Sequence, residues 1–239
     1  MNIHNLKKHL IDLSHPVSMK MPHWPGDPLT VIQSCSNVSC DGYNLNQLTI
    51  GEHSGTHLGA PFHFLDQGKT IDQIKLQQLV STGIKVDISA QTGENADYLA
   101  TIEDVLRCEN DLNCIPQNAV VLFESGWSRY WHQEQQYWGS DEKGMHFPGI
   151  TLAAADYLVN HWKIAGLGID TAGIDGGQSK DLKVNRFCAQ HDVFHLENLT
   201  RLHELSLTFT LFIGALAIER GSGSPCRVLA MQEKVWNEN

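Results

Sequence analysis

A chain of 239 residues in which 41% are hydrophobic and 18% charged has ordinary globular usage, which excludes intrinsic disorder and suits one α/β or all-β domain. The formal net charge of -10 provides no basic stripe for phosphates, and the Lys7-Lys8 pair is isolated, so nucleic acid is not an expected partner. The opening residues lack the apolar stretch of a secretory signal and no later run reaches membrane-spanning length, so a cytoplasmic protein without a membrane partner is expected.

In chain order, Ile11-Asp-Leu-Ser14 reads as a short extended element, and Met21 to Pro28 is too rich in Pro and Gly to be anything but a loop, one that carries Trp24. Leu45 to Ile50 alternates as a strand and runs into a histidine-rich segment, so the histidines sit where a strand ends. Ile84 to Ile88 and Ala119 to Phe123 read as buried strands, while Thr101 to Arg107 and Thr151 to Val159 read as capped helices. Ile164 to Ile169 and Leu207 to Ile213 are further apolar strands, and Gly173 to Gln178 is a loop. Gly166-Leu-Gly168 lacks the third glycine and helix start of a dinucleotide site, so close backbone packing explains it better. Strands and helices intermingle without repeats, which indicates a single mixed α/β domain over 1–239.

Thirteen histidines is a high count, and three fall in His53-Ser-Gly-Thr-His57-Leu-Gly59-Ala-Pro61-Phe-His63-Phe64. In a straight strand the Cα atoms of His53 and His57 would lie roughly 13 Å apart, too far to share an ion without a bend. Gly51, Gly55 and Gly59 permit such a bend, and Pro61 fixes the exit that aims His63. Imidazole suits zinc, manganese or iron, and a catalytic ion needs about three protein ligands and an open position, with a further imidazole as proton acceptor. A loop whose histidines merely bond backbone has the same spacing. Six cysteines contain no Cys-x-x-Cys pair, and most are expected to be reduced thiols with packing roles.

This segment resembles the signature His-x-Gly-Thr-His-x-Asp-x-Pro-x-His-Phe of the cyclase family, which includes bacterial kynurenine formamidases and isatin hydrolases. Ile11 to Ser14, Trp24-Pro-Gly-Asp27, Glu124 to Trp131, His146-Phe-Pro-Gly149, Gly168 to Thr171, Leu196-Glu-Asn-Leu199 and Gly221 to Pro225 are similar to family landmarks in the same order, covering nearly the whole chain. The resemblance implies a swivelling β/β/α fold, with a mixed, barrel-like sheet flanked by helices, in a homodimer or homotetramer. It implies His53 and His57 as metal ligands, His63 as the proton-transfer residue, Trp24 as a substrate-facing aromatic, and Ser125 and Trp127 as a stretch bordering the active site. For Trp127 packing is the favoured role, and for Asp170 a turn-capping one over the orientation of a ligand.

The chain departs from the pattern at two places. Gly59 stands where the signature has Asp, which the resemblance implies binds the metal with the first two histidines and in two-metal formamidases bridges to the second ion, and Asn185 stands where that second metal takes a His. Both losses strike one ion, so a single divalent metal, zinc or manganese, is expected, with Glu197 either its third ligand or an acid at the start of a helix near Thr200. His191, Asp192 and His195 are left without a role, because a strand over 193–196 alternates faces. The resemblance implies a metal-dependent amidohydrolase acting on a small-molecule formamide or cyclic amide. The alternative is a binding protein that kept the pocket and lost the chemistry.

Overall fold

Strand alternation assigns the apolar residues to two cores on opposite faces of one sheet, and a computed structural model describes this for residues 9–112 and 114–232. The N-terminal stretch with Lys7-Lys8 lies outside these residues. The strands are β1 (Leu10–Asp12), β2 (Val31–Ser36), β3 (Leu45–Thr49), β4 (His57–Gly59), β5 (Val80–Asp87), β6 (Leu99–Ala100), β7 (Val120–Glu124), β8 (Gly149–Ile150), β9 (Gly166–Ile169), β10 (Phe194–Glu197), β11 (Thr208–Ala215) and β12 (Gly223–Met231).

Seven of them close on themselves in the order β12-β11-β5-β7-β9-β10-β4 and back to β12, with β1 added beside β12. The long β12 makes closure possible: residues 223–225 pair with β4, and residues 229–231 pair with β1. Central pairs β5–β7, β7–β9 and β9–β10 are parallel and the remainder antiparallel. The sheet is therefore mixed and barrel-like, as the sequence led us to expect.

Val120, Leu122, Phe194, Leu196, Leu58, Leu211 and Val228 point into the barrel. Val121, Phe123, Leu167 and Ile169 point outward under the helices Ile102–Asn110, Leu152–Tyr157 and Lys183–Gln190. Both predicted helices are present; the second continues as a π-helical turn over Leu158–Trp162, and Thr151 caps it by accepting from Ala154 N–H. Gly166 and Gly168 serve packing: a Cβ at 166 would fall 2.4 Å from the Phe194 ring, and one at 168 would fall 2.5 Å from Leu122. The region after Leu199 holds only a short 3₁₀ turn, Leu202–Glu204, rather than a helix starting at Thr200. A third core of Met21, Trp127, Trp131, Tyr137, Trp138 and Phe147 packs beside the loop of Trp24.

Candidate metal centre

β4 pairs antiparallel with β10 in the register Glu197↔His57, Leu196↔Leu58 and His195↔Gly59. Since Leu58 and Leu196 enter the barrel, alternation turns His57, His195 and Glu197 onto the opposite face together. His53 comes from the bend before β4, which Gly55 turns with a φ of +63°. Gly223 on β12 leaves room for that ring, because a Cβ there would sit 2.5 Å from His53 Cε1. Pro61 opens the 3₁₀ turn Pro61–His63, which swings His63 over the His53 ring in a stack with centroids 3.6 Å apart.

Hydrogen bonds fix two tautomers. A carbonyl only accepts, so His57 Nδ1–H must donate to Gly55 O at 2.9 Å, which leaves Nε2 as the nitrogen available to the cluster. Ser222 Oγ spends its proton on Glu52, so it accepts from His53 Nε2–H at 2.9 Å, leaving His53 Nδ1 free. Both freed nitrogens, His53 Nδ1 and His57 Nε2, are buried and without a hydrogen-bond partner. Gly55 O is held in turn by Asn198 Nδ2 at 2.9 Å, and Asn198 Oδ1 accepts from the Tyr137 hydroxyl.

Ligand atoms of His53, His57 and His195 all lie within 4.8 Å of one another. Glu197 sits beside them, with Oε2 3.3 Å from His57 Nε2, Oε1 4.0 Å from His195 Nε2, and Oε1 also accepting from Ile174 N–H at 3.0 Å. Burial, reinforced by the neighbouring histidines, holds His53 far below the ordinary imidazole range. Burial likewise brings His195 down to about 4 against the raising effect of Glu197, and lowers His63. For Glu197 burial pushes upward, but His195, His57 and the Ile174 amide together outweigh it and leave the carboxyl below its usual value. Burial thus disfavours the charged form of His53, His63 and His195 beside one carboxylate. Three converging imidazoles, two of them with a buried nitrogen that has no hydrogen-bond partner, are a donor set suited to a divalent transition metal, and the residues present fit such an ion.

The cluster forms the floor of a cavity of about 290 Å³, walled by Trp24, Asp27, Phe64, Leu182 and Asn185. Trp24 stands edge-on to Trp138 and Phe147, with centroids 5.9 and 6.3 Å away. Asn185 gives its N–H and its Nδ2 to Asp175, each at 2.9 Å, so its orientation is set and its buried Oδ1 is unpartnered. A larger cavity of about 390 Å³ shares only Asp175 with this one and has no histidine in its wall.

Of the residues singled out in the sequence, His53, His57, His63, Glu197 and Trp24 meet at this cavity. Ser125 and Trp127 are not in its wall: Ser125 gives both N–H and Oγ–H to Asp170, and Trp127 Nε1 donates to Tyr137 O within the aromatic core. Asp170 also accepts from Ser128 N–H, so it pins a turn. His191 and Asp192 face outward, whereas His195 is a member of the cluster that sequence reasoning missed. Its signal was available, since His195 is two residues from Glu197 and a strand puts i and i+2 on one face.

Fold and site together define a closed α/β scaffold with a buried three-histidine centre, fit for a metal, that lines a cavity. The chain belongs to the family described as putative cyclase, whose profile matches residues 11–176. It is 31% identical over 219 residues to an isatin hydrolase of Roseibium aggregatum, covering 87% of this chain and 82% of that protein. It is 24% identical over 223 residues to a kynurenine formamidase of Bacillus cytotoxicus, covering 92% of this chain and 95% of the other. Isatin hydrolase A from Ralstonia solanacearum superposes with a TM-score of 0.90 at 29% identity, over 97% of this chain and 95% of that one. An isatin hydrolase bound to the product analogue thioisatinate gives 0.89 at 28%, over 94% and 92%.

Proposed function

We propose that the protein is a metal-dependent amidohydrolase that opens a carbon–nitrogen bond other than a peptide bond in a small, flat formamide or cyclic amide. The observation that carries this reading is the pair of buried nitrogens without a hydrogen-bond partner on His53 and His57, facing a cavity that also holds His195 and His63. The names of the relatives, isatin hydrolase and kynurenine formamidase, support the bond class.

One divalent ion, zinc or manganese, held by His53, His57 and His195 would supply a water of lowered pKa and polarise the scissile carbonyl. His63, its charged form disfavoured by burial, would serve as the proton acceptor during attack on the carbonyl and as the proton donor to the leaving nitrogen. Glu197 holds negative charge beside His57 and His195, offsetting positive charge at the centre. Trp24 lays an aromatic face against the flat part of the substrate. Asn185 Oδ1 accepts the N–H of the substrate amide, because the bond from Nδ2 to Asp175 sets the side chain's orientation and leaves Oδ1 without a partner. The pocket volume suits a mono- or bicyclic ring rather than a polymer.

The test is turnover of N-formylated aromatic amines and of cyclic aryl amides by purified protein, with and without a chelator and with added zinc or manganese. Metal-dependent ring opening or deformylation is expected. A protein that binds such compounds in the pocket but hydrolyses none with either metal would be the binding module instead.

A further inference from the structure

Gly59 is directly opposite His195 across the β4–β10 ladder, and its backbone does not need glycine's conformational freedom, since its φ is not in the left-handed region. What excludes a side chain is the histidine. A Cβ built at 59 would lie 1.9 Å from His195 Nε2 and 2.2 Å from Cε1, and the three nearest atoms all belong to that ring. The imidazole of His195 therefore occupies the volume into which any residue at 59 would project. It is 3% exposed, and its ligand atom lies within 4.8 Å of those of His53 and His57.

We infer that Gly59 and His195 act as one exchanged unit: the imidazole reaching across from β10 occupies the coordination position that the carboxylate at position 59 of the family signature would fill, and makes the centre all-imidazole. The inference rests on the metal-binding part of the function proposed above but not on any substrate. Two consequences separate it from a vacant third position. Restoring Asp at 59 alone should damage the site, because the side chain collides with His195. Restoring it together with removal of the ring should rebuild a three-donor site of different character, with a carboxylate oxygen in place of a nitrogen. Imidazole donors favour zinc and carboxylate donors favour manganese, so the exchange should also shift the metal preference.

The experiment measures zinc and manganese affinity by competition with a chromophoric chelator for the wild type, His195→Ala, Gly59→Asp and the double variant Gly59→Asp/His195→Ala, with folding checked by circular dichroism. His195→Ala should weaken zinc binding on the order of 10²-fold or more, since losing even an outer partner of a ligand costs 10–100-fold. Gly59→Asp should weaken it comparably, and the double variant should recover most of the loss while its zinc-over-manganese ratio falls at least about tenfold. Zinc affinity unchanged in His195→Ala, or a folded double variant no better than His195→Ala, would overturn the exchange. Should the variants not fold, X-ray absorption on the wild-type protein loaded with zinc decides: three imidazoles in the first coordination sphere are expected, and two would refute the inference. A wild type that binds zinc through three imidazoles yet hydrolyses no amide would leave the exchange standing and remove only the proposed activity.

Discussion

His57 and His63 stand six residues apart and are expected to fail in different ways when removed. His57 presents a free Nε2 inside the cluster, so His57→Ala should abolish metal retention and, with it, turnover. His63 is stacked on His53 at the cavity and is outside the three-histidine set, so His63→Ala should keep its metal while turnover falls roughly 10²- to 10⁴-fold. Elemental analysis beside initial rates reads both, and metal lost from His63→Ala would make it a ligand. Burial also sets a pH response. His15 and His195, each normally near 6.5, are brought down to about 4 in the fold, His15 by burial and by His132. Between pH 6.5 and 4 the unfolded chain thus binds more protons than the folded one, and their contribution to stability is complete above 6.5 and lost as pH falls. The metal-free protein should lose stability from pH 7 to 5 by up to about 1.4 kcal/mol per pH unit per group. Asp170 and Asp175, raised by burial, oppose this at the acid end. A melting temperature flat over that interval would contradict the assignment.

At the level of elements, what was legible in the sequence was local. Apolar runs gave β5, β7, β9 and β11 to within a few residues, and Thr101 and Thr151 marked two helix starts, because burial and capping leave their pattern in neighbouring positions. The site was half legible for the same reason. His53, His57 and His63 belong to one segment, whereas His195 joins them through a ladder between residues 57–59 and 195–197, and no local pattern encodes that register. Gly59 was misread accordingly: of the three glycines expected to bend the chain, only Gly55 has a positive φ, and Gly59 instead makes room for a ring. Ser125 shows the reverse case, a residue in a stretch similar to a functional landmark whose polar atoms are spent internally, while Trp127 takes the packing role favoured for it. Asp170 at the end of β9 accepts from Ser125 N–H at 2.9 Å and from Ser128 N–H at 3.3 Å, tying the turn after β7 to its neighbour. Asp170→Ala takes the acceptor from the buried Ser125 N–H and hydroxyl and the half-buried Ser128 N–H and should cost about 3 kcal/mol by denaturant titration, at one to three per unsatisfied buried group. Metal content should be unchanged. Loss of metal in a folded Asp170→Ala would instead make Asp170 a group that orients the centre.

For the whole molecule, the hairpin of β2 and β3 poses the remaining question. No residue from 31 to 49 is buried, and Val31, Val38, Tyr43, Leu45 and Leu48 are each 46–59% exposed. A two-stranded hairpin is marginal by itself in water, and apolar side chains on both of its faces have nothing to gain from solvent. Leu45 and Leu48 point to opposite faces by strand alternation, so neither face is the obvious wet one. This arrangement fits a hairpin covered by another copy of the chain, the homodimer or homotetramer that the resemblance implies, and such burial would supply the stabilisation that the hairpin lacks in one copy. Light scattering at micromolar concentration should then give a dimer or tetramer. The double substitution Leu45→Glu/Leu48→Glu should shift it toward monomer with the barrel intact by circular dichroism and zinc still bound, since neither residue is in the cavity wall. A wild type that is monomeric at micromolar concentration would show that the exposed leucines are tolerated without a partner, and a charged double variant that stays fully assembled would move the interface away from the hairpin.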